Sequence, residues 1–154
     1  MARDGLLVIG YGSELRGDDA AGTIAARRLR RLGYQAIATH QLTPELAERM
    51  AAARQVVFLD ADAGMAPGEI AVARVDSTAS AGALEHHAGP GVLLRLAREA
   101  YGAAPAAVLI RLGGRSFALG SRLSAEARRA VAKAVVEVRR AMPIRRRRPG
   151  PETR

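Results

Sequence analysis

The chain reads as an α/β protein: a single three-layer α/β/α domain with a twisted, mainly parallel central sheet of about five strands. Three observations point there. Leu6-Leu7-Val8-Ile9 and Val56-Val57-Phe58-Leu59 are apolar runs, and residues 106–112 a largely apolar one, of the kind that strands covered on both faces require. Stretches with apolar residues at helical spacing lie between them. Strands alternating with helices form βαβ units, and right-handed crossovers then place helices on both faces of a parallel sheet.

Taken in order, residues 6–9 form the first strand, and a glycine-bearing loop leads to a helix over 20–32. On that helix Ala21, Ala25, Leu29 and Leu32 share one face, and Gly33 supplies the stop. Residues 35–39 make a short, weakly patterned strand. Thr43-Pro44-Glu45 predicts a helix start, with Thr43 as N-cap and Pro44 in the first helical position, ending near Ala53. Residues 56–59 form a second buried strand. After the Pro67-Gly68 turn, residues 70–75 alternate like an edge strand. A polar loop over 76–82 follows, and Pro90 opens a helix through Ala100. Residues 106–112 form another buried strand. Ser124 caps a last helix reaching Met142, with Val131, Val135, Val138 and Met142 as its apolar stripe.

At 154 residues the chain is long enough for one substantial core, and with aromatics at only 3% that core must be Leu, Val, Ile and Ala. The absence of cysteine excludes disulfides, a thiolate metal site and a cysteine nucleophile. No apolar run approaches a membrane span, and Met1-Ala2-Arg3-Asp4 leads straight into the first strand without room for a signal peptide. The expectation is a cytoplasmic monomer without membrane contact. The formal charge of +9 is concentrated at one end: residues 139–154 carry a net +6, leaving +3 for the rest. The chain therefore divides into a domain over 1–142 and a basic, disordered tail over 143–154. The tail has no aromatic residue to stack on bases, so no specific nucleic-acid partner is expected.

The loop after the first strand, Gly10-Tyr11-Gly12-Ser13-Glu14-Leu15-Arg16-Gly17-Asp18-Asp19, carries the chemistry. It is not a dinucleotide loop, because Leu15 stands where the third glycine belongs, and the chain has no Gly-Lys-Ser/Thr phosphate loop. Two carboxylates at the following helix start would repel phosphate, so a cation or a peptide is the better visitor. Ligands of open α/β sheets bind beyond the carboxyl ends of the strands. Three segments converge there: Asp18 and Asp19 after the first strand, Asp60 after Val56–Leu59, and His86 and His87 beside Glu85 ahead of Pro90. Two carboxylates and an imidazole suit a borderline divalent metal such as nickel or zinc. Each residue also has a structural reading. Asp18 can be an N-cap, Asp19 a first-turn dipole partner, and Asp60 a turn cap together with Asp62. His40 can simply end its strand. No Gly-x-Ser-x-Gly elbow and no His-Glu-x-x-His helix is present.

At these residues the sequence resembles the [NiFe]-hydrogenase maturation endopeptidases. Their opening pattern, Gly-x-Gly-Asn-x-Leu-x-x-Asp-(Asp/Glu), is matched from Gly10 to Asp19. Their strand followed by aspartate is matched by Val56-Val57-Phe58-Leu59-Asp60-Ala61, and their histidine before a Leu-rich helix and a glycine by His87, Leu93, Leu94, Leu96 and Gly102. His40-Gln41-Leu42-Thr43-Pro44-Glu45-Leu46 looks like a subgroup signature, and residues 117–124 resemble the family's lead into the last helix. Ser13 replaces the usual Asn, Ala20 the frequent Gly, His86 the usual Pro or Thr, and Arg115 a common acidic residue.

The resemblance implies an endopeptidase that removes the C-terminal extension of a [NiFe]-hydrogenase large-subunit precursor after nickel insertion. In that reading Asp19, Asp60 and His87 contact nickel carried by the substrate, and the free enzyme holds no tightly bound metal. Asp19 doubles as the catalytic carboxylate, a general base on water with Asp18 as helper, in an aspartic-type or metal-assisted hydrolysis. The competing reading from another class is a non-catalytic nickel-sensing or chaperone module of hydrogenase assembly that uses the same residues only to bind.

Overall fold

The computed structural model describes residues 5–77 and 89–144. In chain order the elements are β1 (Leu6–Tyr11), a short 3-10 helix (Gly17–Ala20), α1 (Ala21–Arg31), β2 (Gln35–Thr39), α2 (Leu46–Ala52) and β3 (Gln55–Asp62). There follow β4 (Ile70–Arg74), α3 (Pro90–Tyr101), β5 (Ala106–Gly113) and α4 (Ala125–Ala141). The sheet has five strands in the order β2-β1-β3-β5-β4, parallel except for β4, which pairs antiparallel with β5 at the edge. This is the expected α/β architecture.

Alternation along the buried strands divides the core in two. Val8, Val57, Leu59, Ile110 and Leu112 face α1 and α4, packing on Ala25, Leu29, Val131 and Val138. Leu7, Ile9, Val56 and Phe58 face α2 and α3, packing on Met50, Leu93, Leu94 and Ala97. Phe58 is fully buried, and truncating such a side chain to Ala typically costs about 3–5 kcal/mol. The small residues of α1 let it lie directly on the sheet: a Cβ on Gly10 would run into the Gly22 carbonyl oxygen and come 2.7 Å from the Ala26 Cβ. Beyond α4, the Tyr34 hydroxyl donates to the Met142 carbonyl (3.1 Å), fixing the chain where the helix ends.

Several expected boundaries shift. The helix expected from Ala20 begins one residue later and is preceded by the 3-10 turn that contains Asp18 and Asp19. Thr43 is not a helix N-cap, because α2 starts only at Leu46, after a turn in which the Leu46 N–H donates to the Thr43 carbonyl (3.1 Å). Strands β1 and β3 run two and three residues past their apolar runs, to Tyr11 and Asp62. Ser124 caps α4 as expected, accepting from the Ala127 N–H at 3.1 Å.

The connections leaving β1 and β3 set the location of the site. From β1 the chain crosses through α1 to β2 on one side. From β2 it returns through α2, past β1, to β3 on the other side. The strand order thus reverses between β1 and β3, and such a reversal opens a crevice beyond the carboxyl ends of the two strands. No helix among the described residues is long and apolar enough to cross a membrane.

Candidate active site

Tyr11, Asp60 and Arg111 form a row across the carboxyl end of the sheet. Tyr11 pairs in register with Asp60, and Asp60 with Arg111. All three continue the alternation of Leu7, Phe58 and Leu109 and so project to the α2/α3 face, about 5 Å apart from strand to strand. The Tyr11 hydroxyl donates to the Asp60 carboxylate. Burial pushes the Asp60 carboxyl up to about 6. The charges of Asp19 and Asp62 add to the rise, while the Tyr11 hydrogen bond and the Arg111 charge restrain it. The Tyr11 phenol is in turn raised well above its usual value, by burial first and by the facing carboxylate second. A carboxyl that changes charge near neutral pH, at a topological switch point, has the properties of a functional group.

Asp19 reaches the same place from the loop after β1. Its Oδ2 accepts the Ser13 N–H at 2.7 Å, which closes the loop. Its Oδ1 has no hydrogen-bond partner among the described residues. The loop bends tightly at Gly12, whose φ is +141° and where a Cβ would collide with the Asp19 carbonyl oxygen. The Gly12 N–H donates to the carbonyls of Thr39 (3.2 Å) and His40 (3.1 Å), tying the loop to the end of β2. Asp19 therefore acts on Asp60 through its charge, as a second carboxylate at the same strand ends.

Asp18 points the other way and is fully buried. Its Oδ2 accepts the N–H groups of Arg115 (2.7 Å) and Ser116 (3.0 Å) and the Ser124 hydroxyl (2.6 Å), and its Oδ1 accepts the Ser124 N–H (2.7 Å). Burial alone would raise this carboxyl, but together these donors hold it below the usual carboxylate value. Asp18 is thus neither an N-cap of its own helix nor a free helper base. It fastens the β5–α4 loop and the start of α4 to the loop after β1.

The other candidates separate cleanly. Asp62, not Asp60, takes the turn role, its Oδ1 accepting the Gly64 N–H at 2.7 Å. His40 is exposed just past β2 and meets the site loop only through its backbone. Glu85, His86 and His87 lie outside the described residues, as does the tail from residue 145. Among the described residues no group of three or more His, Cys, Asp or Glu is placed to hold a metal ion. What the described site could offer a cation is two carboxylates, Asp19 and Asp60, which are hard oxygen donors. Tyr11 and Arg111 were not among the sequence candidates. Their signal is the strand alternation itself, which places Tyr11 on the Asp60 face once β1 is extended past its apolar run and Arg111 on that face within the expected 106–112 strand.

No protein-family sequence model matches the chain, and no curated protein is similar enough in sequence to count as a relative. Solved structures are similar in fold. The [NiFe] hydrogenase maturation protease HycI from Thermococcus kodakarensis superposes with a TM-score of 0.69 at 24% identity, over 88% of this chain and 90% of that one. A hydrogenase 2 maturation peptidase from the Thaumarchaeota archaeon SCGC_AB-539-E09 gives 0.69 at 24%, over 92% and 99%. The hydrogenase maturating endopeptidase HybD from E. coli gives 0.68 at 22%, over 90% and 91%. The whole domain therefore has the fold found in these endopeptidases.

Proposed function

We propose that the chain is an endopeptidase that removes the C-terminal extension of a [NiFe]-hydrogenase large-subunit precursor once nickel is in place. The observation that carries this reading is the pair Asp19 and Asp60 at the β1/β3 switch point, inside a fold shared with hydrogenase maturation proteases. The near-complete overlap in both directions supports it.

Nickel enters as part of the substrate. Asp19 and Asp60 approach it through carboxylate oxygens, and His87, just ahead of α3, supplies the third contact. Oxygen and imidazole donors bind nickel less tightly than thiolates do, and this chain has no cysteine, so it can test for the metal without extracting it. Asp19 is the general base: its Oδ1 has no protein partner among the described residues and can take a proton from water, while the Ser13 N–H holds the other oxygen in position. Asp60, facing Tyr11, is partly buried, and an approaching cation favours its charged form. Asp18 keeps the surrounding loops rigid.

The test is incubation of the purified chain with precursor, separately nickel-loaded and nickel-free. Shortening of the loaded precursor alone, lost in Asp19→Asn, is the expected result. Tight binding without any cleavage would instead favour the nickel-sensing module.

A further inference from the structure

Hydrolysis of a peptide bond places negative charge on the carbonyl oxygen, and the carboxylates Asp19, Asp60 and Asp62 at this site cannot stabilise it. The row across the sheet supplies the missing sign. Resting on the peptidase reading above, we propose that Arg111 is a catalytic residue whose guanidinium donates hydrogen bonds to the oxygen of the scissile carbonyl as the bond is attacked.

The register puts Arg111 beside Asp60 on the neighbouring strand and on the same face, so a substrate carbonyl next to Asp60 lies within reach of its side chain. It interrupts an otherwise apolar strand, Val108-Leu109-Ile110-Arg111-Leu112, as an exposed residue between the buried Ile110 and Leu112. The guanidinium is exposed, and no salt bridge or hydrogen bond engages it among the described residues, Asp60 included. Its field nevertheless reaches both Asp60 and Tyr11. On the edge side its same-face neighbour is Ala71 of β4, too short to crowd it or to bond to it. An unpaired donor fork beside a cluster of carboxylates is arranged to meet charge that appears only during reaction.

In the step proposed, water adds to the carbonyl carbon as Asp19 takes its proton, and the carbonyl π pair moves to the oxygen facing Arg111. The tetrahedral species then collapses, the C–N bond breaks, and the proton held by Asp19 passes to the leaving amine. Atoms and charge balance without an additional reagent.

The test compares Arg111→Gln and Arg111→Lys with the unaltered chain in steady-state cleavage of nickel-loaded precursor. Circular dichroism serves as the check that these exposed substitutions leave the fold intact. Arg111→Gln is expected to lower kcat roughly 100- to 1000-fold with KM within a few-fold, the signature of an oxyanion donor. Arg111→Lys should recover about tenfold of that loss, keeping the charge without the fork. An unchanged kcat, or a rise confined to KM, would overturn the role of Arg111 and leave the peptidase reading standing. Failure of the unaltered chain to cleave loaded precursor would overturn both.

Discussion

Tyr11 and Asp60 stand opposite each other in register on β1 and β3, and the phenol donates its hydrogen bond to the carboxylate at the point where the strand order reverses. Half-burying a carboxylate there keeps its charge conditional. The Tyr11 bond favours the charged form and burial opposes it, and burial prevails, leaving the group near 6. Tyr11→Phe removes a donor to the carboxylate, so Asp60 should titrate higher still. An NMR titration of the Asp60 carboxyl carbon in the two proteins reads this directly. An unchanged or lower value in the variant would mean that Tyr11 does not hold this carboxylate.

Asp60 is expected to cost the fold stability at neutral pH. Its folded-state value lies above the 3.8 of a free carboxyl. Below about pH 4 both folded and unfolded chains carry it neutral, and it contributes nothing. Between about pH 4 and 6 the unfolded chain ionises first, so stability falls as pH rises, and above about 6 the full penalty applies. Asp60→Asn should therefore be more stable than the unaltered chain at pH 7.5, by about 1–2 kcal/mol after allowance for partial exposure, while losing processing. Urea unfolding at pH 4 and 7.5 checks both the size and the sign.

Asp18 behaves oppositely. Its carboxyl is held below the usual value, so its stabilisation is present above about pH 4 and lost as pH falls through the still lower folded value. Asp18→Ala leaves the N–H groups of Arg115, Ser116 and Ser124 without their acceptor, each worth about 1–3 kcal/mol when left buried and unpaired. A loss of about 3 kcal/mol or more is expected in urea unfolding at pH 7. Ser124→Ala, which removes one donor and the α4 cap, should lose less, about 1–2 kcal/mol.

The loop depends on Gly12 for a conformation and a clearance that no side chain allows. Gly12→Ala should displace Asp19 and abolish processing, while costing stability as well. Asp19→Asn, which keeps both shape and the Ser13 acceptor, should melt within about 1 °C of the unaltered chain, since substitutions that preserve local contacts stay near ±0.5 kcal/mol. Equal losses of stability in the two variants would point to a structural rather than a chemical role for Asp19.

The sheet was legible because three largely apolar runs and the helical stripes between them leave little choice of architecture. The position of Asp60 was legible because the Val56–Leu59 run ends directly at it, and that of Asp19 because the glycine-bearing loop after the first strand leads into it. Asp18 was not, because its partners lie 97 to 106 residues away and no local pattern announces them. Thr43 misled because its Thr-Pro-Glu signature also suits a turn, and a turn occupies these residues ahead of α2. Tyr11 was hidden by reading the first strand as ending with its apolar run, whereas backbone pairing carries β1 on to Tyr11 and turns it onto the Asp60 face. Arg111, inside the expected 106–112 strand, was hidden because that segment reads as buried throughout.

The two histidines differ in their expected effects. His87→Ala should weaken binding of nickel-loaded precursor more than His86→Ala, measured by pull-down at matched concentrations. The reverse order would move the third nickel contact to His86 without disturbing the roles of Asp19 and Asp60.

The most direct measurement follows cleavage of one large-subunit precursor, prepared with and without inserted nickel, by metal-free chain. The C-terminal extension should be released from the loaded precursor only, and not at all by Asp19→Asn at equal concentration. Release at the same rate from nickel-free precursor, or undiminished release by Asp19→Asn, would contradict a metal-reading peptidase built on Asp19 and Asp60.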